Sequence, residues 1–206
     1  MVEGRRVDCS CPGHSTVTEM PMSPEQLLSI VRHYWPSTEE CYLTGEASPE
    51  LERLQALWQQ ELKKLDKWWA LLDELEGELP GFTIGDGTAT VNPSFRCVAY
   101  SGRTGPHHFA VVGCLSILAP VFTVYGLEFE ETEKSRRVSR ICFEPLPAEM
   151  QQPGRVMARK IEASFGASAL PREVAETPVP LFVEWMAPPH TTLFHALFAS
   201  RPEIIP

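Results

Sequence analysis

Cys9-Ser10-Cys11-Pro12-Gly13-His14 is the densest run of metal-ligating side chains in this 206-residue sequence. Thiolates and imidazoles bind zinc, but a structural zinc takes four such ligands, ordinarily as two close pairs. No second Cys/His pair stands nearby, and the run lies in Met1–Pro21, a stretch with little periodicity. It reads as a thiol-bearing tail, and no metal ligand is assigned.

A second set of reactive types is His107-His108 with Cys97 and Cys114. A Cys–His nucleophile needs an exposed thiolate and an oriented imidazole. Both cysteines instead sit within apolar, strand-like runs, so buried free thiols and polar turn histidines are expected. Gly85-Asp86-Gly87-Thr88 and Ser101-Gly102-Arg103-Thr104-Gly105 share only glycine with phosphate-binding loops and read as hairpin turns. Neither GxSxG, HExxH nor a kinase-type set occurs. The residues therefore assign no catalytic group and no cofactor, and they point to a protein that is not an enzyme.

Charge is the more informative pattern. Residues 1–100 carry 16 Asp/Glu against 8 Lys/Arg, whereas residues 101–206 carry 11 against 10, so the net charge of −9 lies almost wholly in the first half. Glu39, Glu40, Glu46, Glu50 and Glu52 follow one another without a basic residue, as do Asp73, Glu74, Glu76, Glu78 and Asp86. The second run ends a helix, where carboxylates oppose the macrodipole at a few tenths of a kcal/mol each, about the usual exposed value. Glu39, Glu40, Glu46, Asp73, Glu74, Glu76, Glu78 and Asp86 are accordingly the candidate partner-binding residues, suited to a basic protein. The alternative is that they only keep the chain soluble. Lys134, Arg136, Arg137 and Arg140 follow directly on Glu128, Glu130, Glu131 and Glu133, and cross-strand ion pairs in one hairpin are expected of them.

An acidic chain has no unspecific affinity for nucleic acid or anionic membranes. Met1–Met20 lacks the apolar core of a signal peptide, and Phe109–Tyr125 is broken by Gly113 and Pro120, so no membrane helix is read. With its thiols expected free, the chain is placed in the cytoplasm.

The elements that would position these groups follow from spacing. Residues 1–21 read as a flexible leader and 22–206 as one domain. Ser23-Pro24-Glu25-Gln26 is a capping box opening a helix that Pro36 stops. Ser48-Pro49-Glu50 opens a long helix to about Glu78, with Leu51, Leu54, Trp58, Leu62, Leu65, Trp69, Leu72, Leu75 and Leu79 on one stripe. Leu57, Trp68 and Leu71 widen it. Strands are expected at 82–84, 88–91, 95–100, 108–118, 121–130 and 138–143, with links short enough to require antiparallel pairing. A helix over 153–165 capped by Gly166, a strand over 179–186 and a helix over 191–199 complete the chain. The expected fold is α+β: N-terminal helices, one of them long and amphipathic, on an antiparallel sheet of four to six strands, with further C-terminal helices.

A small acidic α+β protein with a Trp/Leu-rich helix and an antiparallel sheet resembles, in general character, the immunity proteins of bacterial polymorphic-toxin systems. That resemblance implies a cytosolic protein that binds a cognate toxin domain and blocks it, often through an acidic patch when the toxin is a basic nuclease. Two other readings stand beside it. One is a small enzyme with an unfamiliar site at Asp86, His107 or His108, and the other is a structural subunit whose Trp/Leu surface packs into an assembly.

Overall fold

The computed structural model describes residues 22–39, 48–102, 108–132 and 135–205. Helix α1 (Pro24–Val31) starts as its sequence requires: the Gln26 amide donates to Ser23 Oγ, and the Ser23 N–H donates to Gln26 Oε1. Leu27 and Val31 are buried, and the indole N–H of Trp35 just beyond donates to the Ala196 carbonyl at 2.8 Å.

The long helix is present with one irregularity. Helix α2 (Pro49–Glu61), a 3₁₀ turn (Leu62–Lys64) and α3 (Leu65–Glu78) follow without a break. A 3₁₀ residue advances by about 120° where an α-helical residue advances by about 100°, so three of them turn the downstream face by about 60°. The stripe consequently changes phase. Leu54, Trp58, Trp68, Leu71, Leu75 and Leu79 are buried, whereas Leu62 is 41% and Trp69 45% exposed. The expectation that Trp69 lies on the core stripe and Trp68 at its margin is thus reversed.

Strands β1 (Phe82–Asp86), β2 (Ser94–Ser101), β3 (His108–Ser116), β4 (Val121–Thr132) and β5 (Ser135–Cys142) form the expected antiparallel meander in sequence order. A two-residue strand, β6 (Ser168–Ala169), adds a parallel pairing to Val121 and Phe122 of β4. Gly85-Asp86 belongs to β1, opposite Val98 and Cys97, and is not a turn. Residues 88–91 are not a strand, because Asp86 Oδ1 accepts the Thr88 amide at 3.0 Å and draws the backbone out of the ladder. Residues 179–186 form only the bridge Val183↔Met186, with a second, Pro178↔Thr192, just before them, since four nearby prolines (178, 180, 188, 189) withhold ladder donors.

Helix α4 (Ala148–Phe165) begins earlier than its proline suggested, with Pro153 inside it, and ends at Gly166 in the left-handed region, φ 65. Helices α5 (Arg172–Ala175) and α6 (Leu193–Leu197) follow. One face of the sheet takes α4 and the long helix. Phe95 meets Trp58 and Trp68 with ring centroids at 5.1 Å each. Gly113 and Gly126 lie under Met157 and Met150, where any side chain would collide. The other face takes the C-terminal segment: Ser94 donates to the Phe198 carbonyl, Tyr125 to that of Pro202 and Arg96 to that of Ile204. One continuous apolar cluster runs from Leu27 to Phe198 through both layers.

Candidate functional site

The acidic end of α3 is where local rules predicted unfavourable charge, and the structure supplies the missing compensation. Lys160 Nζ of α4 lies 2.8 Å from Glu74 Oε2 and 2.8 Å from Glu78 Oε1, and Arg159 also pairs with Glu78. The hydrogen bond from Lys160 is the largest cause holding the Glu78 carboxyl below the usual carboxylate range. Glu74 and Glu78 therefore tie α3 to α4, and the ion pairs offset their clash with the helix dipole. Both are still exposed. Asp73 and Glu76 are exposed too, and neither has an ion-pair partner among the described residues.

These two unpaired carboxylates lie C-terminal to the indole that the 3₁₀ turn rotated outward. On α3, Asp66 precedes Trp69 by three residues, Asp73 follows by four and Glu76 by seven, so all lie on its side of the helix. Asp66 likewise has no ion-pair partner among the described residues. Leu62, one turn further back, is also exposed. The result is a side of the long helix on which exposed Leu62 and Trp69 stand with Asp66, Asp73 and Glu76, and with Lys63 beside Leu62 at its N-terminal end. A half-exposed indole amid carboxylates offers a desolvatable anchor surrounded by charge, the arrangement that gives an interface both affinity and partner selection.

The remaining candidates have structural occupations or lie elsewhere. Asp86 accepts the Trp68 indole N–H at 3.2 Å and the Thr88 amide, so it anchors β1 to α3. Glu39 is exposed beyond α1, apart in sequence from the α3 face. Glu40 and Glu46 lie outside the described residues, as do His107 and the Cys9–His14 run. Glu50 pairs with Arg53 at 3.0 Å. Cys97 and Cys114 are fully buried; burial pushes the Cys97 thiol far up and that of Cys114 up to about 12. His108 stands at the opposite end of β3 from Cys114, so the two cannot form a nucleophilic pair. Within the basic cluster Arg137 pairs with Glu130 at 2.7 Å and Arg140 with Glu128 at 3.0 Å across β4 and β5, as expected of them, while Glu133 and Lys134 lie outside the described residues. No group of three metal-ligating side chains occurs among the described residues.

A second aromatic is displayed at Trp185, 71% exposed at the tip of the Val183–Met186 turn with φ 64. A bulky side chain in the left-handed region is strained by about 1–3 kcal/mol. Sequence reasoning did not single out Asp66, and it placed Trp69 in the core. Nothing in Leu62-Lys63-Lys64 marks a 3₁₀ turn, so no signal in the chain could have separated Trp68 from Trp69. Comparison with protein-family profiles, with characterised proteins and with solved structures finds no match to this chain.

Proposed function

We propose that this chain is a non-enzymatic binding protein whose α3 face, centred on Trp69, captures a basic protein, and that the partner is a toxin which it neutralises in the manner of an immunity protein. The observation that carries the binding role is the outward rotation of Trp69 into the unpaired carboxylates Asp66, Asp73 and Glu76. These carboxylates attract a cationic surface over roughly a Debye length, about 8–10 Å at ordinary salt. The indole then supplies the buried contact that slows dissociation. The toxin assignment rests on the general resemblance in composition and layering.

The test is a growth assay with the protein encoded beside this chain. Expressed alone that product arrests growth; co-expression of this chain relieves the arrest; and Trp69→Ala, folded to the same degree by circular dichroism, relieves it poorly. A neighbouring product that is harmless alone removes the toxin assignment, and a Trp69→Ala chain that protects as well as wild type removes the site.

A further inference from the structure

Strand β4 changes its outer neighbour along its length. It pairs with β5 over Gly126–Thr132 and with β6 at Val121 and Phe122. Between these, Thr123, Val124 and Tyr125 have a strand partner only on the β3 side. A cavity of about 300 Å³ opens in that gap. Because it touches Thr123, Phe194 and His195 of one layer and Val124 and Ala158 of the other, it passes through the plane of the sheet. Glu144, Ala169, Arg172 and Glu176 of its lining are exposed, so the cavity opens to solvent on that side while its walls are chiefly apolar.

We propose that this cavity is a binding site for a small neutral amphiphile, with an aliphatic or aromatic body of about ten heavy atoms and one hydrogen-bond acceptor. The size follows from volume: an apolar cavity of about 150 Å³ holds benzene, so about twice that holds a molecule of about 10–12 heavy atoms. The apolar body follows from the walls, chiefly Phe122, Val124, Ile141, Phe143, Leu170 and Phe194.

The acceptor follows from His195. Its Nδ1 receives the Thr192 amide at 3.1 Å, closing the capping box of α6, so the ring proton sits on Nε2. Nε2–H is then the one polar group the ring has left to offer. Burial holds this imidazole below its ordinary pKa, so it meets the ligand uncharged.

Neutrality follows from the rim. The Arg172 guanidinium is engaged by Glu176 at 2.7 Å and lies 5.9 Å from the Phe143 ring centroid. That pair leaves Glu144 as the remaining charge at the opening, which repels a carboxylate.

The experiment uses the full chain with 1-octanol, 1-tetralone and sodium octanoate at pH 8 as probes, followed by thermal shift and by NMR. Octanol and tetralone should raise Tm saturably, with shift changes concentrated at Ile141, Leu170 and Phe194. Octanoate should bind at least tenfold more weakly. Ala158→Leu and Ala169→Leu each fill part of the space and should abolish the response while keeping the wild-type circular dichroism spectrum. No saturable response of the wild type to either neutral probe overturns the proposal, as do shift changes scattered over the surface. Filled variants that respond like wild type overturn it as well. Octanoate binding as tightly as octanol overturns the neutral-ligand assignment.

Discussion

Replacing Trp68 by alanine and, separately, Trp69 by alanine distinguishes the two roles that the 3₁₀ turn gives to adjacent indoles. Trp68 is 1% exposed, stacks near Phe95 at 5.1 Å and donates to Asp86 at 3.2 Å. A buried aromatic removes about 150–250 Å² from water, which at about 25 cal/mol per Å² gives about 4–6 kcal/mol as an upper bound. Core truncations of this size cost about 3–5 kcal/mol in practice, and Trp68→Ala should fall there. Asp86 is exposed, so its freed oxygen returns to water without a burial penalty. Trp69 keeps 45% of its surface in water and leaves no enclosed void when truncated, so Trp69→Ala should cost about 1–2 kcal/mol. Urea unfolding followed by circular dichroism reads the difference, about 2–3 kcal/mol, as a fall in the midpoint of about 1 M at unchanged slope. Equal costs for the two variants, or a larger one for Trp69, would mean a regular helix through Leu62–Lys64 and would remove the display on which the binding face depends.

Gly113→Ala should destabilise by about 1–3 kcal/mol, because its new methyl would lie 2.5 Å from Met157 Sδ and 2.9 Å from Ile161 Cδ1. Gly126→Ala should cost less, since it meets chiefly the pliable end of Met150, and thermal unfolding of the pair gives the order. Cys97 and Cys114 should resist a thiol reagent at pH 8 in the native protein and react on unfolding, as peptide mapping would read; burial raises both thiols, that of Cys114 to about 12. His195 titrates below its ordinary 6.5 because burial disfavours the cation, with Glu203 opposing. The unfolded chain therefore binds this proton first, so the contribution to stability is full above about pH 6.5 and is lost as pH falls through the lowered folded value. NMR titration of His195 should show the low midpoint, and a value at or above 6.5 refutes the burial argument.

Much of the fold could be read from the chain because the relevant signals are local. The Ser23 capping box, Ser48-Pro49, the Gly166 cap and the β-branched runs of β2–β4 each fix an element through their own neighbours. The charge reversal from Glu128 and Glu130 to Arg137 and Arg140 could be read as cross-strand pairing in the same way. What could not be read depends on contacts distant in sequence. Lys160 and Arg159 reach the end of α3 from more than 80 residues away, and they turn an apparent electrostatic misfit into a helix–helix tie. The phase change at Leu62–Lys64 has no propensity signature, and it alone decides which of two neighbouring tryptophans faces solvent. The gap beside Thr123–Tyr125 arises from where β5 leaves and β6 arrives, which no spacing in β4 encodes.

Calorimetric titration of this chain against the product of the adjacent gene, at about 50 and 300 mM salt, decides whether the α3 face binds. The complex should weaken with salt, lose at least about 2 kcal/mol (roughly thirtyfold) with Trp69→Ala, and lose most of its salt dependence with Asp66→Asn, Asp73→Asn and Glu76→Gln together. Absence of a complex, or one whose affinity is indifferent both to salt and to these four side chains, contradicts binding through that face.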